Sequence, residues 1–310
     1  CQSTRPVPTQ PLMHLSSMAR KFLGSYWVPT MAKFEMREKD PFSPIIYNYP
    51  DLEVLHQETS PYQGIGVYTS PYFGKILTLD GVVQITERDE FFYHEMIVHP
   101  ALYVHGRPEN VLIIGGGDGG SLREVLKHDS VLQVTMAEID QRVIEVSKQY
   151  FPNLSSGFSD PRATIVKVDG VEIIRESDKV WDVIIVDSTD PVGSAKTLFT
   201  REFYSLAFEA LKPDGIIVSQ TESLLFHAPF VREIQLLLRE HFPIVDCYAQ
   251  AIATYAGNWW TFSIGSKSKR LRTPKGKIHI KHRYYSYQIH RKAFLDRGLY
   301  ERLLNENLNW

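Results

Sequence analysis

The stretch that decides the fold is Val111-Leu112-Ile113-Ile114-Gly115-Gly116-Gly117-Asp118-Gly119-Gly120. Its first half is a continuous apolar run, which is typical of a strand buried on both faces of a parallel sheet. Its second half is a glycine loop that opens a helix, and backbone without side chains lets a ligand approach closely. Because Gly115, Gly117 and Gly120 also fit the dinucleotide pattern G-x-G-x-x-G, the loop alone leaves the ligand class open.

Apolar runs of the same kind recur after this stretch, at 131–137, 163–168, 183–186 and 216–218. Helices are predicted between them, at 121–128, 141–150 and 202–211. Alternating strands and helices indicate a parallel, doubly wound sheet with helices on both faces. Two later runs, 244–253 and 259–264, are predicted to close the sheet as an antiparallel pair.

Before the glycine loop the pattern is shorter and rich in turns. Alternating residues between about Ile45 and Ile85 predict a small antiparallel sheet, in which Asp80-Gly81 marks a hairpin. A helix is predicted from Arg88 to Val104, with an end or a kink at Pro100.

These patterns predict three units. Residues 1–34 form an extension, residues 35–92 a β domain, and residues 93–310 a catalytic domain. Within the last unit, 267–283 is predicted to be an exposed basic linker, followed by a terminal helix near His290–Leu304.

Composition excludes several classes of function. The 310 residues are 43% hydrophobic with a net charge of −2, which argues against nucleic acid or an anionic membrane as the main partner. Two distant cysteines, Cys1 and Cys247, argue against a disulfide framework or a cysteine-rich zinc site and fit the reducing cytoplasm. Residues 1–34 contain no Asp or Glu, so they read as a disordered extension or cloning remnant, or else as an organelle-targeting segment.

Two acidic residues indicate what kind of ligand the glycine loop holds. Glu138 follows the next apolar run, 23 residues after Gly115, where a carboxylate can accept both hydroxyls of a ribose. Asp118 stands inside the loop, where it would repel a pyrophosphate but bind a cationic tail. It would also repel a carboxylate, which favours decarboxylated S-adenosylmethionine over S-adenosylmethionine.

A pair of aspartates follows the strand at 183–186. Asp187 lies at its carboxyl end, where open α/β sheets bind ligands, and Asp190 precedes Pro191 in a predicted turn. Two carboxylates at one cavity can attract an ammonium group and take a proton from it. The same pair could instead form an Asx-turn that starts a helix.

The chain resembles spermidine synthases, the polyamine aminopropyltransferases, from about Gln63 to Lys267. The resemblance rests on the following segments: 79–91 (LDGVVQITERDEF), 93–96 (YHEM), the glycine loop with 121–125 (SLREV), 138–140 (EID), 169–170 (DG), 187–191 (DSTDP), 254–255 (TY), 283–285 (RYY) and His290. It implies a small N-terminal antiparallel β domain followed by a Rossmann-like, class I methyltransferase-type doubly wound sheet.

The resemblance also implies the chemistry. A diamine, putrescine first among candidates, would attack the aminopropyl carbon of decarboxylated S-adenosylmethionine and release methylthioadenosine. This co-substrate would be the only cofactor, no metal would be involved, and the enzyme would act as a homodimer or homotetramer.

The resemblance assigns the following roles by position: Asp187 as proton acceptor; Tyr93 and Tyr255 in the catalytic site; Gln63, Gly115, Gly117, Asp118, Glu138, Asp169 and Gly170 at the donor; and His94, Asp118, Asp190, Gln84 and Glu222 at the amine. Several also have plainer interpretations. Tyr93 could belong to the core, His94 could be a structural histidine, and Asp169 could cap the helix that follows it.

Two departures from the family pattern leave the acceptor open. Relatives often have a tryptophan at Leu225 and Pro-Ser-Gly at 256–258, where this chain has Ala-Gly-Asn. Agmatine, cadaverine or spermidine could therefore replace putrescine as the acceptor. Two further classes of protein also fit parts of the pattern: a methyltransferase that uses S-adenosylmethionine, and a non-catalytic polyamine-binding protein.

Overall fold

The computed structural model describes residues 33–40, 43–189, 193–275, 278–306 and 308. The predicted extension therefore lies almost wholly outside the described residues, as does Asp190. Within them, no helix is both long and apolar enough to cross a membrane.

The first five strands form one antiparallel sheet in the order β1-β2-β3-β4-β5. Their bounds are β1 Phe34–Lys39, β2 Ile46–Thr59, β3 Gly64–Ser70, β4 Gly74–Leu79 and β5 Val82–Thr86. The predicted hairpin at Asp80-Gly81 joins β4 to β5. Both residues have positive φ, 50° and 82°, as a two-residue type I′ turn requires.

The second sheet has seven strands in the order β11-β12-β10-β9-β6-β7-β8. Their bounds are β6 Asn110–Gly115, β7 Gln133–Ala137, β8 Ala163–Val166, β9 Trp181–Asp187, β10 Leu211–Ser223, β11 Ile244–Ala251 and β12 Trp259–Ser266. Strands β8, β7, β6, β9 and β10 are parallel, and β12 and β11 close the sheet antiparallel. The chain order reverses between β6 and β9, and ligands bind at such switch points.

Helices cover both faces of this sheet, as predicted. They are α1 Glu90–His105, α2 Gly120–Leu126, α3 Gln141–Tyr150, α4 Gly170–Arg175, α5 Arg201–Ala210, α6 Leu224–His241, α7 Tyr287–Ala293 and α8 Arg297–Asn305. Separate apolar clusters fill the two faces, one around Val111, Ile113 and Ile185, the other around Leu112 and Ile184. Successive residues of each buried strand therefore pack on opposite faces of the sheet.

Three details of the sequence prediction are wrong. The helix does not end at Pro100, one of the two outcomes predicted there: α1 continues to His105, because almost the whole helix is buried and packing outweighs the missing hydrogen bond. The terminal helix is two helices separated by residues 294–296, of which Phe294 forms a β-bridge with Tyr248. The segment after β12 is not simply exposed, since Leu271 is in the core and Arg272 pairs with Asp246 at 2.6 Å.

The two sheets meet across α3. Apolar residues of β3 and β4 pack on Val143 and Val146 of that helix. At the same boundary Asp140, the N-cap of α3, accepts hydrogen bonds from Ser60 at 2.6 Å and from Gln63 at 3.0 Å. The turn before β3 is thus fixed relative to the glycine-loop side of the large sheet.

The C-terminal tail is tied to α1 by one buried carboxylate. Glu95 is fully buried and accepts hydrogen bonds from the backbone N–H groups of Arg283, Tyr284 and Tyr285 at 2.7, 2.8 and 2.7 Å. A charged acceptor makes each of these bonds stronger than a neutral one.

We expect Glu95→Gln to lower the free energy of unfolding by about 3 kcal/mol, because the amide can no longer accept all three bonds and leaves buried N–H groups unpaired. Urea unfolding measures the loss, and hydrogen exchange at 283–285 should speed up. Glu145→Gln, at a half-exposed position, should change stability by less than about 0.5 kcal/mol. Equal effects of the two substitutions would contradict this role.

Candidate active site

The glycine loop brings the ends of β6 and β9 into contact. Gly115 and Gly116 have positive φ, 82° and 74°, and the N–H of Gly116 donates to the carbonyl of Asp187 at 2.8 Å. A Cβ on Gly115 would overlap that carbonyl, and a Cβ on Gly116 would lie 2.9 Å from Oδ2 of Asp187. Glycine is therefore required here by a close approach to the neighbouring strand as well as by φ.

A cavity opens at the carboxyl ends of these strands, and most of the predicted site residues line it. These are Gln63, Gln84, Tyr93, Gly115, Gly117, Asp118, Glu138, Asp169, Gly170, Asp187, Glu222 and Tyr255. His94 lies behind Asp118 rather than on the wall. Asp190 lies outside the described residues, so its position relative to Asp187 stays a prediction.

Asp187 and Tyr93 form the centre of the cavity. The hydroxyl of Tyr93 donates to Oδ1 of Asp187 at 2.6 Å, and both side chains are buried. Burial and the nearby charge of Asp118 raise the pKa of Asp187, while His94 and Tyr93 lower it. A carboxylate with a raised pKa is a stronger base than an exposed aspartate.

Asp118 is held on its inner side by the loop and by His94. Its Oδ1 accepts from the N–H of Gly120 at 2.6 Å and lies 3.2 Å from Nε2 of His94. Burial opposes the charge on His94, but Asp118 and Glu90 together raise the pKa of His94 to about 10. Although buried, His94 is therefore a cation at neutral pH.

The β7 side of the cavity carries Glu138. Its Oε1 accepts from the N–H of Asp140 at 2.8 Å, and a Cβ on Gly117 would lie 2.9 Å from its Oε2. Burial, and the charges of Asp140, Asp118 and Asp187, raise its pKa to about 7, although the hydrogen bond from Asp140 opposes the shift. Its oxygens are thus presented to the space above the loop.

Asp169 is the N-cap of α4, as its plainer interpretation predicts. Its carboxylate accepts a hydrogen bond from the N–H of Val171 at 2.8 Å. It also lines the cavity. Gly170 packs against Ile114, and a Cβ there would overlap that side chain. Both residues belong to the same side of the cavity as Glu138, because they follow β8.

The β10 side of the cavity contains acidic residues that sequence reasoning missed. Glu38 and Asp40 line it with Glu222 and His227. Nδ1 of His227 lies 3.2 Å from Glu222 and Nε2 lies 3.8 Å from Asp40. Oδ2 of Asp40 is buried and accepts no hydrogen bond from any residue that the structure describes.

A sequence signal for two of these residues exists. Met36, Glu38 and Asp40 alternate with exposed residues along β1, so the strand period places the two acids on its buried face. Because β10 and β7 are three strand spacings apart, the two sides of the cavity are about 14 Å apart. This separation suits an elongated pair of ligands.

Tyr255 closes the cavity near Tyr93. Its hydroxyl donates to the carbonyl of Gln84 at 2.6 Å, and its ring centroid is 5.6 Å from that of Tyr93. Leu225, one of the departures from the family pattern, is exposed and does not line the cavity. Trp260 does, so an aromatic face is available from β12 instead.

Two further clusters in the described part of the chain have the residue types of a metal site, His99 with Glu124 and His282, and His105 with Asp182 and Asp214. Protein cations already neutralise their carboxylates. Arg123 and Lys127 contact Glu124, while Lys212 and Lys269 contact the two aspartates. Neither cluster lines the cavity described above.

Comparison with known proteins identifies the family. A model of the spermine/spermidine synthase domain matches residues 90–274, and a model of the spermidine synthase tetramerisation domain matches residues 52–87. The chain belongs to the spermine/spermidine synthase family. The family match confirms the resemblance and favours aminopropyl transfer over methyl transfer.

Individual relatives agree with this assignment. A polyamine aminopropyltransferase of Hydrogenobaculum sp. is 51% identical over 273 residues, covering 88% of this chain and 98% of that protein. Polyamine aminopropyltransferase 1 of Aquifex aeolicus is 51% identical over 268 residues, covering 86% and 96%.

Solved structures confirm the predicted fold class. A spermidine synthase in complex with the transition-state analogue AdoDATO matches with a TM-score of 0.82 at 35% identity, covering 87% of this chain and 94% of that one. Spermidine synthase from Thermotoga maritima matches with a TM-score of 0.81 at 35% identity and the same coverage.

We expect Tyr93→Phe to move the acid limb of the pH profile of kcat/KM to higher pH. The hydroxyl lowers the pKa of Asp187, so without it the carboxylate is protonated at a higher pH and the basic form is lost earlier as pH falls. Initial rates between about pH 5 and pH 10 measure the shift. An acid limb at the parent position would contradict the proposed coupling of Tyr93 to Asp187.

Proposed function

We propose that this member of the family transfers the aminopropyl group of decarboxylated S-adenosylmethionine to a diamine, with putrescine as the preferred acceptor, giving spermidine and methylthioadenosine. The observation that carries the proposal is the buried Tyr93–Asp187 pair beside Asp118 at the switch point of the sheet. The AdoDATO complex of the related spermidine synthase supports the same class of donor.

The donor is proposed to lie over the glycine loop toward β7 and β8. Glu138 would accept the ribose hydroxyls, and Gln63, held by Asp140, would contact the nucleoside from the small sheet. Asp169 and Gly170 would border the adenine. Asp118, already ionised beside His94, would accept the terminal ammonium of the aminopropyl chain.

The reaction is a displacement at carbon. Asp187 takes a proton from the acceptor ammonium, and the freed nitrogen lone pair attacks the aminopropyl carbon next to sulfur. The new carbon–nitrogen bond forms as the carbon–sulfur bond breaks, its electron pair stays on sulfur, and neutral methylthioadenosine leaves. The raised pKa of Asp187 brings it closer to the pKa of the acceptor amine, about 10, so the proton transfer is less unfavourable.

The acceptor is proposed to extend from Asp187 toward β10. There Glu38, Asp40 and Glu222 line the cavity with one imidazole, that of His227, so among the described residues this part of the cavity has an excess of acidic groups. A second cationic group on the acceptor would compensate that charge. Putrescine, agmatine, cadaverine and spermidine all carry one, and a monoamine does not.

We also propose the arrangement of the chain and its assembly. Because β5 ends at Thr86 and α1 begins at Glu90, the boundary between the β unit and the catalytic unit falls between them, slightly before the predicted position. The tetramerisation-domain match over 52–87 supports a homo-oligomer built through the small sheet.

The test of the proposed function is release of methylthioadenosine from the decarboxylated donor in competition among putrescine, cadaverine, agmatine and spermidine. We expect release with putrescine favoured. Asp187→Asn should lower kcat by at least about 100-fold, because the amide cannot accept the proton, and leave the Kd of the donor within about threefold. Asp182→Asn, a buried aspartate away from the cavity, is the matched control. Release that persists within a few-fold in Asp187→Asn would mean that another group is the base.

A separate prediction concerns the acceptor side. Asp40→Asn should raise the KM of putrescine by about tenfold, as expected for the loss of one partly buried charge pair, and leave the KM of the donor unchanged. Steady-state kinetics with each substrate varied in turn measures both constants. A rise confined to the donor KM would show that Asp40 does not face the acceptor.

A further inference from the structure

A chain of alternating charges leads from α2 to the cavity. Arg123 contacts Oε2 of Glu90 at 2.8 Å, Glu90 contacts Nδ1 of His94 at 2.8 Å, and Nε2 of His94 lies 3.2 Å from Asp118. Only the last of these four residues lines the cavity. The order of charges is positive, negative, positive and negative.

Burial and the two acidic neighbours act in opposite directions on the charge of His94. Its side chain is fully buried, and burial alone lowers the pKa of an imidazole. Asp118 and Glu90 lie on opposite nitrogens and offset this. Gly120 packs directly against the ring, where a Cβ would overlap it, so water has no room on that side.

Other charged or titratable groups face this chain of charges from each element around it. Asp187 of β9 responds to the charges of His94 and Asp118, and Tyr93 packs edge-on at 5.3 Å from the His94 ring. Arg283 of the C-terminal tail lies 3.6 Å from the outer oxygen of Glu90. Among the residues that the structure describes, only Glu90 and Asp118 contact the His94 nitrogens as anions.

We propose that Glu90 is a positioning residue which keeps His94 an imidazolium and thereby sets the pH range in which Asp187 is an effective base. The proposal rests on the function proposed above, since it takes Asp187 as the base. Glu90 acts through His94, because it does not reach the cavity itself.

The consequence follows from the charges that act on Asp187. His94 lowers the pKa of Asp187 and Asp118 raises it. If His94 becomes neutral, its charge no longer offsets that of Asp118, and the pKa of Asp187 rises although Tyr93 still lowers it. Less of the basic form is then present near neutral pH, while at higher pH the carboxylate is ionised whether or not His94 is charged.

The test uses Glu90→Gln. The amide keeps the shape but removes the anion, and Arg123 is then the nearest charge on the Nδ1 side. We expect the pKa of His94, measured by NMR of labelled histidine in the full chain without substrate, to fall from about 10 to about 6 or below, so that His94 is mostly neutral at about pH 7. Relative to the parent, kcat should be at least about fivefold lower at about pH 7 and within about twofold at about pH 9.

Glu124→Gln is the matched control. Glu124 is also buried and also pairs with Arg123, at 2.8 Å, but its carboxylate does not contact the His94 nitrogens. The His94 titration should stay at the parent position in this variant, and its activity relative to the parent should not vary with pH. Glu90→Asp keeps the charge and should retain most of the parent pH profile.

Two outcomes would overturn the proposal. One is a parent protein in which His94 titrates near its ordinary value of about 6.5, a measurement that does not need any variant to fold. The other is a Glu90→Gln variant whose loss of activity is the same at every pH, as a merely structural role would give. Both are distinct from failure of the proposed function, which would be absence of methylthioadenosine release by the parent.

Discussion

The rest of the structure depends on negative charge held out of water at the switch point of the large sheet. Asp118, Glu138 and Asp187 come from the ends of neighbouring strands and share one cavity. Burying carboxylates together is unfavourable unless cations compensate them. The imidazolium of His94 compensates part of this charge, and the pKa values of Glu138 and Asp187 stay raised. The remaining negative charge makes this site complementary to a cationic donor and an ammonium-bearing acceptor.

The backbone is built to make that concentration of charge possible. Positive φ at Gly115 and Gly116 lets the loop lie against the end of β9, which brings Asp118 toward Asp187. The small sheet lines the other side of the cavity. The hydrogen bond to Asp140 fixes Gln63 there. Strand β1 and the residue after it add the side chains of Glu38 and Asp40. The two sheets therefore build the site together, and the cavity uses residues from both.

Sequence reasoning predicts most of this architecture, for identifiable reasons. Each buried strand is a continuous apolar run, and the carboxyl ends of parallel strands must meet at one edge. The three acidic residues at those ends can therefore be placed together from the sequence alone. Contacts made by burial rather than by local pattern cannot be predicted in this way. Pro100 suggests a helix end, but packing of the buried helix lets α1 continue past it. Likewise, nothing in the sequence around His94 indicates that its ring lies behind Asp118 as a cation. Asp40 is missed because the predicted small sheet begins only at Ile45, beyond the alternating residues of β1.

Incompletely compensated buried carboxylates are expected to select the donor, and calorimetric titration of the parent protein tests this selection most directly. Decarboxylated S-adenosylmethionine and S-adenosylmethionine differ by one carboxylate, which would lie beside Asp118. A like-charge contact of this kind costs several kcal/mol, so the decarboxylated donor should bind at least about 100-fold more tightly. Equal affinity for the two nucleosides would contradict the account.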